Sequence, residues 1–371
     1  MTITITKTRS RKRKSRKRKT SDHTNLRLWS ELPDDLLNLI TKDFNVREYF
    51  LLGRVCKSWK SYTEAYMKDF LASQPPLIMI LSRYAKKSCY LHNIYESTMY
   101  QAQLPNFSKR KCIGVTSGYM IMQNKLRRKS CIHPLLLFNP ITGHELHFPS
   151  PICNITHFIL VSSITHVKEH ILIGLSAEVI QSCRSNDNHW SFCYVDQRPY
   201  YNSWKIVDGA MFKGKIYVLT DHGKIGVVNP SSLSVLELFE VKCIDYFLNY
   251  PKLVVSYEQL LLITTSSPAN STFEVYKLNI LEKSCVRMWN LGDQALFLTT
   301  CGDSQGGFRI QKDHNSIHEL NHSGCCLHSL DGKSKSVDPI RPRERDFKRF
   351  PKGVYWFWYF PHLACNTDSL Y

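Results

Sequence analysis

Five residues near the C-terminal end, His318-Glu319-Leu320-Asn321-His322, have the spacing of the HExxH zinc-hydrolase motif. That chemistry needs a helix, on which both imidazoles share one face and the glutamate activates a metal-bound water. His328 even stands where the longer HExxHxxGxxH pattern has its third histidine. The surroundings argue against a zinc centre. The glycine comes one place early, at Gly324, and Cys325 takes its position. The flanks Asn315-Ser316 and Ser323-Gly324 do not favour a helix, and no methionine follows Met288 to make a downstream Met-turn. A helix here would also interrupt a β-rich stretch. An alternating strand or a loop is the expectation over 316–322.

Other chemistry is equally sparse. The 13 cysteines show no CxxC pair, and the adjacent Cys325-Cys326 do not by themselves build a tetrahedral site. With no apolar secretory region at the start, they read as reduced thiols. No Gly-rich phosphate loop is present. Neither a Ser–His–Asp array nor a carboxylate pair stands out. The expectation is a chain with no catalytic residues, no metal and no cofactor. The run Tyr355-Trp356-Phe357-Trp358-Tyr359-Phe360 could stack nucleobases beside the basic residues of 341–352. A continuous apolar run better suits a buried closing strand, covered on both faces. The bases from Arg341 to Arg349 read either as a solvated loop or as a rim attracting an acidic substrate.

The net charge of +18 suggests a nucleic-acid partner until its distribution is considered. Residues 7–19 hold ten Lys or Arg and no acid. Without them, 39 bases face 31 acids in the rest of the chain. A tail of repelling charges with nothing apolar to bury does not fold alone, so residues 1–24 are expected to be disordered. Arg11, Lys12, Arg13, Lys14, Arg16, Lys17, Arg18 and Lys19 read as a nuclear-import signal. The expected location is nuclear, with the cytoplasm as the second compartment. A nucleic-acid-contacting arm is the alternative use of the tail. No membrane partner is expected. The best apolar stretch, His157 to Ile180, is broken by His166, Lys168, Glu169 and His170.

The elements that would position these residues divide in two. Residues 25–72 read as about three short helices. Pro33 suits a first helical position, Asp34 and Asp35 favour the positive end of a helix dipole, and Asn45 suits an N-cap. Gly53 separates the second helix from a third running through Trp59 to about Tyr66, and Gln74-Pro75-Pro76 then ends helix. From Leu77 the chain becomes all-β. Runs such as Leu77–Leu81, Leu135–Phe138, Lys215–Leu219, Leu260–Thr264 and Phe273–Leu278 alternate with turn residues, and Lys213-Gly214 reads as a tight hairpin. A weak repeat runs strand, turn, strand. Its copies lead from Tyr90–Ile94, Leu135–Pro140, Ile225–Pro230, Val275–Asn279 and Cys326–Leu330. Anchored at 94, 139, 229, 279 and 330, they are 45, 90, 50 and 51 residues apart, and the double gap points to a missed copy at Cys193–Asp196. A period of about 45–50 residues suits the four-stranded blade of a β-propeller of about six blades. A β-sandwich pair or an irregular all-β fold is the alternative.

The helical segment is too small to bury much, yet it offers Leu32, Pro33, Leu36, Ile40, Val55, Cys56 and Trp59 as large apolar groups. Those not packed internally form a patch for a partner, with Trp a frequent interface anchor. The pattern Leu32-Pro33, Leu36-Leu37, Ile40, closing with Val55-Cys56-Lys57-Ser58-Trp59, resembles an F-box. Gly53 stands where that family often has a larger residue. The resemblance implies a Skp-type adaptor as partner, through Leu32, Pro33, Leu36, Leu37, Ile40, Val55, Cys56 and Trp59. Through the adaptor it implies a cullin–RING ubiquitin ligase, in which the F-box protein does no chemistry and holds a substrate near the ubiquitin-loaded enzyme. The β region resembles the KIB-type propeller of plant F-box proteins. Phe212–Leu219, Leu135–Gly143 and the ending Arg341-Pro342-Arg343 through Trp358 carry that likeness. The expected organisation is a basic tail at 1–24, an F-box at 25–72 and a propeller at 77–365. The expected function is a substrate receptor for a protein target that the residues do not name. The rival readings are a nuclear nucleic-acid-associated protein using the basic tail and a zinc hydrolase using His318.

Overall fold

The computed structural model describes residues 29–82, 88–105, 107, 110–124, 133–162, 169–194, 204–229, 233, 235–241, 251–265, 272–299, 306–309, 314–321, 324–330 and 354–361. The basic tail, His322 and the Arg341–Arg349 run lie outside these residues. The chain forms two compact units that divide between Phe70 and Leu71.

A 3-10 turn at Trp29–Glu31 precedes α1 (Asp34–Thr41), α2 (Val46–Leu52), α3 (Lys57–Ala65) and α4 (Met67–Ser73). Four helices stand where about three were expected. Tyr66 caps α3 with its N–H bonded to the Tyr62 carbonyl and leaves helical geometry before α4 begins. No Gly or Pro marks that break in the sequence. Pro33 sits one place earlier than expected, at the N-cap of α1 with ψ 150°. Its carbonyl accepts from the N–H groups of Leu36 and Leu37, both at 3.1 Å. Asn45 heads α2 in a reciprocal capping box. Its side chain accepts from Glu48 N and its own N–H donates to the Glu48 carboxylate, each at 3.0 Å. Cys56 caps α3, its sulfur accepting from Trp59 N at 3.4 Å. Leu37, Val46, Tyr49, Leu52, Tyr62 and Phe70 are buried in this unit. The Tyr49 ring stacks on Phe70 at 3.8 Å, and its hydroxyl donates to the Thr63 carbonyl at 3.2 Å.

Six four-stranded sheets follow. Blade 1 holds β1 (Leu77–Ser82), β2 (Ser88–Asn93) and β3 (Thr98–Gln103). Blade 2 holds β4 (Arg110–Thr116), β5 (Tyr119–Asn124), β6 (Leu135–Phe138) and β7 (Glu145–Phe148). Blade 3 holds β8 (His157–Ser162), β9 (His170–Leu175), β10 (Val179–Arg184) and β11 (Ser191–Tyr194). Blade 4 holds β12 (Ile206–Phe212), β13 (Lys215–Thr220), β14 (Lys224–Val228) and β15 (Val235–Glu240). Blade 5 holds β16 (Lys252–Ser256), β17 (Gln259–Thr265), β18 (Phe273–Asn279) and β19 (Ser284–Met288). Blade 6 holds β20 (Gln294–Thr299), β21 (Gly306–Arg309), β22 (Ser316–Asn321) and β23 (Gly324–Ser329). The last strand, β24 (Val354–Tyr359), returns to blade 1 and pairs with β1 from Leu77↔Tyr359 to Ser82↔Val354. The aromatic run is thus the closing strand, as its composition suggests.

In blades 1, 2 and 5 the repeat has a physical cause in the turn after the third strand. Asn93 Oδ1 accepts from Tyr95 N at 2.9 Å, Asn139 Oδ1 from Ile141 N at 2.9 Å and Thr142 N at 3.0 Å, and Asn279 Oδ1 from Glu282 N at 3.3 Å. These are Asx turns, in which a short amide side chain substitutes for a backbone acceptor. Blade 3 turns differently: Asp187 N donates to the Arg184 carbonyl at 3.0 Å and the Asp187 carboxylate accepts back from Arg184 N at 3.2 Å. Without an asparagine the third copy escaped detection. The correct third strand is β10, whereas Cys193-Tyr194 end the outermost strand, β11, and Val195-Asp196 lie outside the described residues. Cys326–Leu330 likewise falls on the outermost strand of its blade, β23. The Lys213-Gly214 hairpin forms as expected, with φ of +45° and +72°.

Blade 6 departs from the others. Its strand order is β21-β20-β22-β23, so β20 and β22 run parallel. The first hairpin of the blade has exchanged places, leaving β20 buried along its length from Ala295 to Thr299.

Neighbouring blades are tied by buried polar groups as well as apolar cores. Asp208 in β12 accepts from Gly209 N at 2.9 Å and from Leu253 N of blade 5 at 2.7 Å, and lies 3.6 Å from His157 Nε2 of blade 3. The seam between blades 6 and 1 packs Ala295, Phe297 and Leu320 against Ile78, Ile80 and Trp358.

Candidate docking site

Polar positions of helix α1 bond to tyrosines in α3 and at its C-cap. Tyr66 donates to Asp34 Oδ2 at 3.3 Å and Tyr62 to Asn38 Oδ1 at 2.6 Å, while Thr41 Oγ1 lies 3.0 Å from the Tyr62 hydroxyl. These residues repeat at i, i+4 and i+7, one face of the helix. Leu37 lies beside them and is fully buried. The opposite face therefore carries Leu36, Leu39 and Ile40 outward, 45%, 68% and 40% exposed. Ordinary amphipathic helices bury this kind of stripe. A turn away in sequence, between α2 and α3, Val55 is 64% exposed and Leu51 is exposed too.

Each residue expected at this site has a place. Leu36, Ile40, Val55 and Pro33 are exposed, and Leu32, Cys56 and Trp59 are half-buried. Leu37 has to be corrected: its side chain is fully buried in the core of the unit, on the side of α1 that bonds to Tyr62. Cys56 and Trp59 do structural work as well. The sulfur caps α3, and Trp59 Nε1 donates to the Trp29 carbonyl at 3.0 Å, tying the entering chain to that helix. Leu39 and Leu51 were not foreseen. For Leu39 the signal was its helical spacing from Leu36 and Ile40. The eight expected nuclear-signal residues lie outside the described residues.

His318 lies in the strand β22, so it and Glu319 point to opposite faces of the sheet. The His318 ring stacks on Phe297 at 4.7 Å, with Nε2 3.3 Å from both the Tyr95 hydroxyl and Ser316 Oγ. Burial, followed by the nearby His328, pushes its pKa down to about 4. Glu319 pairs instead with His328 Nε2 at 3.1 Å. The geometry that HExxH chemistry requires is therefore not made here. Among the described residues no group of three or more His, Cys, Asp and Glu is placed to hold a metal ion. Burial pushes the thiols of Cys89, Cys112 and Cys325 up to about 12, so they stay protonated at neutral pH and are poor nucleophiles.

The propeller offers surface of a different kind. On the outermost strand of blade 3, Phe192 and Tyr194 form an exposed edge-to-face pair at 5.8 Å. Beyond the outermost strand of blade 5, the exposed Trp289 ring carries the Arg287 guanidinium 4.0 Å above it, and Glu274 holds that guanidinium at 2.9 Å.

Residues 91–307, more than half of the chain, match the KIB1-4 beta-propeller family, and residues 29–65 match the F-box domain. The chain belongs to the KIB1-4 beta-propeller family. Two Arabidopsis thaliana proteins whose names describe them as F-box proteins are similar to this KIB1-4 chain. One is 23% identical over 312 residues, covering 73% of this chain and 75% of its own length. The other is 26% identical over 134 residues, covering 34% and 32%. Among solved structures, the mitotic checkpoint complex has a chain 9% identical to this one, with TM-score 0.31, over 68% of this chain and 82% of its own. U3-55K is 11% identical, with TM-score 0.34, over 60% and 62%. Neither adds to the blade assignment, which rests on the hydrogen-bonded sheets. An F-box followed by a KIB1-4 propeller is the architecture of substrate-receptor F-box proteins, in which the propeller suggests protein binding.

Proposed function

We propose that this chain is the substrate-receptor subunit of a Skp–cullin–F-box ubiquitin ligase. The observation that carries the reading is the outward apolar face of α1. Leu36, Leu39 and Ile40 stand in water while the other side of the same helix is hydrogen-bonded to Tyr62 and Tyr66. Exposed contiguous aliphatics are destabilising in isolation and are stabilised when a partner covers them. The F-box match supports a Skp-type adaptor as that partner. The propeller would hold a protein substrate, bringing its lysines near the ubiquitin-loaded enzyme by raising effective concentration rather than by chemistry of its own. Import into the nucleus by Arg11–Lys19 is part of the proposal.

The test is capture of a purified Skp-type adaptor by the full chain and by a Leu36→Ser/Ile40→Ser variant. The expected result is loss of capture with only a modest fall in melting temperature, since both side chains are partly packed while Leu37 still holds the core. Unchanged capture would sink the docking reading. Removing residues 7–19 should shift the protein out of the nucleus and leave adaptor capture intact. Salt-sensitive DNA or RNA binding that vanished with the tail would favour the nucleic-acid reading instead.

A further inference from the structure

We infer that Leu39, which lies outside the F-box motif positions, is an anchor of the docking face and contributes as much to adaptor binding as the motif residue Leu36. The inference rests on the docking reading above and adds a residue to it.

The helix geometry places the three side chains together. At about 100° per residue, positions 36, 39 and 40 fall within an arc of about 100°. That arc is opposite the face on which Asp34, Asn38 and Thr41 bond to Tyr66 and Tyr62. Leu39 lies about 60° round the helix from Leu36, within reach of a partner surface that covers Leu36 and Ile40. The two acids of α1, Asp34 and Asp35, are confined to its first turn. An apolar partner surface would meet no charge between them.

Exposure then ranks the three. Leu36 and Ile40 already lose more than half of their surface to their own unit, whereas Leu39 keeps about two thirds. Hydrophobic gain on docking follows the area newly removed from water, and that area is largest at Leu39. A single exposed leucine is ordinary on any protein surface. This one sits one turn from Leu36 and next to Ile40, so it extends a patch. At 68% exposed it contributes little to the core that holds Leu37, Tyr49 and Tyr62.

The experiment measures adaptor affinity and thermal midpoint for the full chain carrying Leu39→Ala, Leu36→Ala or Leu37→Ala. Leu39→Ala should weaken binding about tenfold or more, the loss expected for truncating a leucine that becomes buried, with its midpoint near that of the unmodified chain. Leu37→Ala should lower the midpoint. If Leu39→Ala binds within about twofold of the unmodified chain while Leu36→Ala is weakened, the inference fails and the docking reading stands. If neither Leu36→Ala nor Leu39→Ala alters affinity, both fail. A Leu39→Lys variant, which preserves the helix and adds a charge to the arc, should abolish capture, and retained capture would overturn the inference independently.

Discussion

A single oxygen explains why residue 53 is a glycine here. A Cβ at Gly53 would stand 2.5 Å from Thr63 Oγ1, which already donates to the Lys60 carbonyl at 2.9 Å. Gly53 has an ordinary helical φ of −63°, so the constraint is space and not backbone freedom. Gly53→Ala is expected to cost about 1–3 kcal/mol in urea unfolding. In a Thr63→Ala background the same change should be neutral or slightly stabilising, because the entropy of the unfolded glycine is then removed without a clash. Equal stability of Gly53→Ala and the unmodified chain would show that Thr63 simply turns aside. His318 gives a pH dependence at the same scale. Its folded pKa of about 4 lies below the ordinary value near 6.5, so the unfolded chain takes up the proton first as pH falls. Its stabilising contribution is complete above about pH 6.5 and is lost progressively towards pH 4, about 3 kcal/mol in all. His318→Phe keeps the stack on Phe297 and removes the proton site. Its unfolding free energy should fall less between pH 7 and 4.5 than that of the unmodified protein, and parallel curves would refute the assignment.

At the level of elements, short-range chemistry does most of the positioning. Asn45 and Glu48 satisfy each other's backbone donors, so α2 starts where the sequence says it should. Asn45→Ala should cost about 1 kcal/mol, read from the urea midpoint. A midpoint shift below a few tenths would mean that solvent replaces the cap. The Asx turns act similarly in the blades. They made the repeat visible at Asn93, Asn139 and Asn279, and the aspartate at 187 hid it in blade 3. Third strands end at Asn93, Phe138, Arg184, Val228, Asn279 and Asn321, steps of 42 to 51 residues. The period was legible because each blade needs four strands and their turns. The exchanged hairpin of blade 6 was not, because nothing local distinguishes an apolar strand at one position of a sheet from the same strand at the next. HExxH misleads for a related reason. Its letters describe a helix face, and the strand pairing of β22 with β20 and β23 decides otherwise.

For the propeller as a whole, stability depends on closing the ring with the last strand. Trp358 is fully buried and donates from Nε1 to the Leu298 carbonyl of blade 6 at 2.9 Å, while the Tyr359 hydroxyl donates to Asn139 Oδ1 of blade 2 at 3.3 Å. One strand thus bonds to both flanking blades as well as to β1. Trp358→Ala should cost about 3–5 kcal/mol, the range for truncating a buried Trp, and should hasten proteolysis of the β region. A variant that unfolds at the same urea concentration as the unmodified chain would show that β24 is not what closes the ring.

What the sequence by itself determined is the division into a helical module and a β-repeat, the closing strand, and the F-box motif. Each of these is written in local patterns: helical spacing, turn asparagines, a continuous aromatic run. Tertiary structure alone decided which residues of that motif face water. Leu36 and Leu37 are chemically identical and adjacent, yet Leu37, on the side of α1 that bonds to Tyr62 and Tyr66, is in the core while Leu36 stays 45% exposed. Burial is a property of what packs against a residue, and that information lies some 25 to 30 positions away in the chain.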